Sequence, residues 1–88
     1  MRIVEGFKLR KICGENVVVP EGAKLVNFNK MLSLNETAAF LWESVQGKEF
    51  DAQTLSDLLS QRYEVAPERA LSDAQALLAK WQEVGVVE

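Results

Sequence analysis

Between Met31 and Trp42 the apolar residues change from alternation to helical spacing, and that corner limits what so short a chain can build. Leu32 and Leu34 alternate with Met31 and Ser33, as in a strand with one buried face. Ala38, Leu41, Trp42 and Val45 then fall at i, i+3, i+4 and i+7, one stripe of a helix. Asn35 suits the helix N-cap, and Ser33 with Glu36 offers a competing capping box, which leaves two starts open. The chain therefore reads as a β part followed by an α part.

In the β part, Phe7 and Leu9 alternate with Lys8 and Arg10, and Lys11-Ile12 breaks the alternation in the manner of a bulge. Gly14-Glu15 matches a type II′ two-residue turn, which predicts a hairpin of residues 7–13 and 16–19, with Pro20 ending its second strand. Residues 25–34 form either one long strand or two short ones with a turn or bulge near Lys30.

In the α part, a first helix over about 35–46 stops at Gly47, a left-handed C-cap. Asp51 caps a second, with Phe50 and Leu55 placed as a hydrophobic staple and Leu55, Leu58, Leu59 and Tyr63 as its buried stripe. Pro67 opens a third, which carries Ala70, Leu71, Ala74, Leu77, Leu78 and Trp81 and ends at Gly85, with Val86 folding back on Trp81. That apolar surface is wider than one core-facing stripe. The expected architecture is α+β and winged-helix-like: an N-terminal antiparallel three-stranded sheet, then three helices, in one domain over residues 1–88.

Composition removes several functions. The chain contains no histidine and one cysteine, Cys13, so a disulfide within it is excluded and a zinc or haem site is not expected. No Ser/His/Asp or Cys/His pairing, phosphate-cradling glycine loop or carboxylate pair stands out, so the chain is read as no enzyme and as needing no cofactor. Cys13 reads as a packing residue, and the Asn35-Glu36-Thr37 sequon as accidental in a chain expected to be cytoplasmic. No apolar run is long enough for a membrane span. Residues 1–34 hold six Lys/Arg against three Glu (+3), and residues 35–88 hold four against ten Asp/Glu (−6). An acidic helical half disfavours a DNA-reading third helix, whose affinity would come from Lys and Arg.

Gly6–Arg10, Glu15–Pro20 and, above all, Phe28–Trp42 with its Leu34-Asn35 corner resemble the PqqD family, the prototype of the RiPP recognition element, over essentially the whole chain. Lys30 departs from the pattern, standing where relatives often carry Gly. The resemblance implies a non-catalytic binder, a peptide chaperone. Such a domain holds the leader segment of a ribosomally made precursor as a strand added beside the third strand, in a groove walled by the third helix. It then presents the leader to a modifying enzyme, in PqqD's case a radical SAM protein. The positions for this in the chain are Lys30, Met31, Leu32 and Ser33 on the strand and Leu71, Ala74, Gln75 and Leu78 on the helix. The basic N-terminal half, with Lys24 and Lys30, favours an acidic leader. A winged-helix DNA-binding regulator or a general protein-interaction module is the alternative, and the sequence leaves monomer and dimer open.

Overall fold

A computed structural model describes residues 1–21 and 32–88. Its elements are β1 (Phe7–Ile12), β2 (Glu15–Pro20), β3 (Leu32–Leu34), α1 (Glu36–Val45), α2 (Ala52–Arg62) and α3 (Pro67–Val84). The strands form one antiparallel sheet in the order β1-β2-β3. This is the expected α+β arrangement. Residues 25–31, and with them the choice between a turn and a continuous strand at Asn29-Lys30, lie outside the described residues.

The hairpin differs from its sequence reading in two ways. Ile12 pairs with Glu15, so the turn residues are Cys13 and Gly14 rather than Gly14 and Glu15. Both have positive φ, 53° and 82°, the type I′ pattern that matches the right-handed twist of the strands. Cys13 accepts a left-handed conformation uncommon for a side-chain-bearing residue because the hairpin around it is closed. The pairing also runs unbroken through Lys11↔Asn16 and Ile12↔Glu15, so there is no bulge. The alternation simply continues, with Lys11 exposed beyond the end of the core.

Strand parity gives the sheet one core face. Phe7, Val18, Leu32 and Leu34 are buried on it, with Leu9 beside them. Asn35 wins the competition to cap α1: its side-chain oxygen accepts from the Ala38 N–H at 2.8 Å. The helix then buries Ala38, Ala39, Leu41, Trp42 and Val45. Gln46 is the C-cap, one residue before the expected Gly47, which follows it at φ 78°. In α2, Asp51 and Thr54 form a reciprocal capping box, and Phe50 and Leu55 are both buried, as the staple requires. Tyr63 does not join the buried stripe. As the C-cap of α2 it is 37% exposed, edge-to-face with Phe40, whose ring also carries the Arg62 guanidinium at 4.6 Å.

Helix α3 starts at Pro67 and ends at Gly85 (φ 91°), with Ala70, Ala74, Leu78 and Trp81 buried. The Gly85 and Val86 N–H groups both donate to the Trp81 carbonyl, and Val86 is completely buried. Trp81 meets Trp42 edge-to-face at 5.3 Å and Phe50 at 6.3 Å. Residues 1–4 were assigned nothing from sequence. They pair with the C-terminal segment through Ile3↔Val87, Arg2 N–H and Glu88 N–H each donating to the other's carbonyl at 2.8 Å, and Val4 N–H to Val86 O.

Three stability measurements follow. Trp81→Ala, which empties the centre of this packing, is expected to cost about 3–5 kcal/mol in urea unfolding. Cys13→Asn, which places Asn-Gly in a type I′ turn, should raise stability by about 0.5–1 kcal/mol. Hydrogen bonds from the Thr54 backbone N–H and hydroxyl hold the Asp51 carboxyl below its ordinary value of 3.8. Its contribution is therefore complete above that value and is lost as pH falls through the lower folded one, so Asp51→Asn should flatten the acid limb of a Tm-against-pH curve.

Candidate peptide-binding edge

The direction of every amide on β3 follows from the hairpin turn. A two-residue turn closes on a pair that exchanges both backbone hydrogen bonds, and such pairs recur at every second residue. Ile12↔Glu15 is that pair, so Arg10↔Val17 and Lys8↔Val19 are also hydrogen-bonded, and the Glu21 N–H reaches the Gly6 carbonyl at 2.7 Å in the same phase. The remaining β2 residues, Asn16 and Val18, turn their N–H and C=O groups to β3. They face Leu34 and Leu32. Ser33, opposite Val17, therefore directs its N–H and C=O away from β2, where no strand lies among the described residues.

The two outer strands of the sheet differ in character. β1 carries exposed Lys8, Arg10 and Lys11, charges that blunt an edge against pairing with another chain. Arg10 is also committed to Glu21, and its hydrogen bonds hold the Glu21 carboxyl below the usual carboxylate range. β3 carries no charge. Its Leu32 and Leu34 side chains are buried in the core, and the Ser33 side chain is exposed.

Two depressions lie beside β3. One, of about 280 Å³, runs between the start of α1, Leu59 of α2 and the middle of α3, with Ala38, Leu41, Leu59 and Leu77 as apolar walls and Asn35, Thr37 and Asp73 as its polar groups. The other, of about 380 Å³ and shallower, lies between the hairpin tip and the β3–α1 corner, where Glu15, Ser33, Asn35 and Glu36 meet. A third, of about 340 Å³, lies elsewhere, among residues 2–8 and 46–47, where the Gln46 side chain donates to the Phe7 carbonyl at 3.1 Å.

The residues expected at the site fall into different settings. Ser33 is at the edge, and Leu32 is beneath it in the core. Lys30 and Met31 lie outside the described residues. On α3, Ala74 and Leu78 are buried core residues, Leu71 is half-buried and Gln75 is exposed. The α3 residues that share a cleft with the β3–α1 corner are Asp73 and Leu77, with Thr37 across from them on α1. None of these three was among the expected site residues, although Leu77 belongs to the wide apolar surface read on the third helix. Asp73 and Leu77 lie four apart, one turn of a helix, but nothing in that spacing says which helix flank meets the corner.

The family described as Coenzyme PQQ synthesis protein D (PqqD) matches residues 15–87, from the start of β2 to the end of the chain's last bridge. The chain belongs to the PqqD family. No curated protein matches it. Among solved structures it is similar to one described as "Lasso peptide synthetase B1 complexed with the leader peptide", with a TM-score of 0.72 and 22% identity, over 99% of this chain and 95% of that one. At that identity the likeness is one of fold, and it extends over the sheet and all three helices of this PqqD-family chain.

Among the described residues, no helix is long and apolar enough to cross a membrane.

Ladder parity decides which proline is tolerated. Ser33→Pro removes an N–H that points off the sheet and should leave Tm within a few degrees. Leu32→Pro removes a donor to β2 beneath the core and should lower Tm clearly. Thermal melts of the two variants, followed by circular dichroism, check the assignment.

Proposed function

We propose that this chain is a non-catalytic accessory protein that captures the leader segment of a ribosomally made precursor peptide by β-strand addition and presents it to a modifying enzyme, a radical SAM protein. The observation that carries the proposal is the uncharged edge of β3, unpaired among the described residues, with the Ser33 N–H and C=O directed away from β2 beside two depressions. Family membership supports it, as does the likeness in fold to a lasso peptide synthetase component bound to a leader peptide.

In this reading the leader's backbone exchanges hydrogen bonds with Ser33 and runs on past Lys30 and Met31. Leu32 holds the strand down through its buried side chain. Alternate leader side chains turn toward the flank of α3 that carries Asp73 and Leu77 and shares a cleft with the β3–α1 corner, with the buried Ala74 and Leu78 behind it. Backbone pairing gives register with little demand on sequence, so the side-chain pockets choose the leader. The domain positions its partner and leaves the chemistry to the enzyme, consistent with a chain that has no histidine. The cytoplasm, where precursor and enzyme are made, is its place of action.

The test needs a leader segment, for which the candidates are any short precursors found in the genomic neighbourhood of this gene. Fluorescence anisotropy should show saturable binding that falls at least about tenfold in Ser33→Pro, the cost of one charge-free backbone exchange and its displaced neighbours. Chemical-shift changes should gather on residues 32–35 and the flanks of α3. Perturbations confined to α2 and the far end of α1, or tight salt-sensitive binding to duplex DNA instead, would refute the proposal.

A further inference from the structure

The lining of the two depressions beside β3 contains three carboxylates, Glu15, Glu36 and Asp73, and, among the described residues, no lysine or arginine. This inference rests on the reading above and adds the chemistry of the segment bound. We propose that the peptide added at Ser33 is basic around its point of attachment, with Lys or Arg side chains on both of its faces.

The geometry makes the two depressions complementary. Side chains of an added strand alternate between faces. Those turned toward the helices enter the cleft of Leu41, Leu59 and Leu77, with Asp73 among its lining residues. Those turned the other way pass Ser33 toward Glu15 and Glu36. A lysine or arginine suits the first cleft in both parts, since its methylene stem lies along the leucines while its charged end reaches the carboxylate.

Charges of the opposite sense are weak or distant here. The N-terminus of α1 carries partial positive charge, but Glu36 stands in its first turn and the Asn35 side chain caps it. Arg69 approaches Asp73 at 3.7 Å, yet both side chains are more than half exposed, and such a pair is readily exchanged for another cation. Lys8, Arg10 and Lys11 belong to β1, two strand spacings from β3 or roughly 10 Å, about one screening length at physiological salt.

The inferred preference is opposite to the acidic leader favoured by charge counting along the sequence. That count pooled β1 with Lys24 and Lys30, and the fold puts β1 at the far edge of the sheet. Lys24 and Lys30 lie outside the described residues.

A displayed library of random 12-residue peptides tests the inference. It is panned on the intact chain, on Ser33→Pro, and on a variant carrying Glu15→Gln, Glu36→Gln and Asp73→Asn. Lys and Arg should be enriched over Asp and Glu in peptides that need an intact Ser33, and the enrichment should vanish in the neutralised variant. Selected peptides should bind that variant about tenfold more weakly, roughly twofold for each carboxylate removed. Circular dichroism confirms that it folds; if it does not, Asp73→Asn alone should weaken binding about twofold. Peptides that depend on Ser33 but are acidic, or indifferent to the three carboxylates, would overturn the charge preference and leave leader capture standing. A pool indifferent to Ser33→Pro, or no enrichment at all, would overturn both.

Discussion

The contact between Trp42 and Trp81 is the constraint on which the other elements depend. It joins the middle of α1 to the end of α3 at a ring separation of 5.3 Å, with Phe50 from the α1–α2 connection closing the third side. Among the described residues, neither buried indole N–H has an acceptor. Each orphaned donor costs about 1–3 kcal/mol, so the edge-to-face packing and the area it buries must outweigh that cost. The Trp81 carbonyl also receives the two N–H groups that turn the chain out of α3. That turn buries Val86 and sets the following residues against the N-terminal segment. One ring thus positions the helices and brings the two ends of the chain together.

With the helices held, the sheet presents its backbone to a partner only along its two outer strands. β2 is paired on both sides, and β3 is only three residues long. Ladder parity leaves one of those three, Ser33, with both backbone groups outward. One residue's exchange of hydrogen bonds contributes little net free energy, about 0.5–1.5 kcal/mol per bond. In the proposed mode of binding it would fix the direction and register of an added strand, and discrimination would fall to the depressions on either side. A site of this kind is selective through its walls rather than through its edge.

The two edges of the sheet show how one is kept receptive and the other is not. β1 is six residues long and would be the better template by length, but Lys8, Arg10 and Lys11 discourage pairing. β3 lacks such protection. Its leucines are anchored in the core and only a serine faces outward, so a partner meets backbone without having to displace charge.

Much of this architecture was legible in local sequence. The Leu34-Asn35 corner, the Asp51 cap with its Phe50–Leu55 staple, Pro67 at the head of α3 and Gly85 at its end each depend on neighbours within a few residues, and each is where its residue type predicts. The hairpin turn was read as type II′ at Gly14-Glu15 rather than type I′ at Cys13-Gly14, because Gly14 is acceptable at either turn position. What separates the two choices is the register of whole strands. Tyr63 was misplaced because helical spacing carries it past the last turn of α2, where the chain leaves the core. The pairing of residues 1–4 with 86–88, the outward direction of the Ser33 amide and the meeting of Asp73 with Thr37 left no local signal. Each depends on contacts between residues distant in sequence: the terminal backbone pairing, the register of β3 on β2, and the approach of α3 to α1.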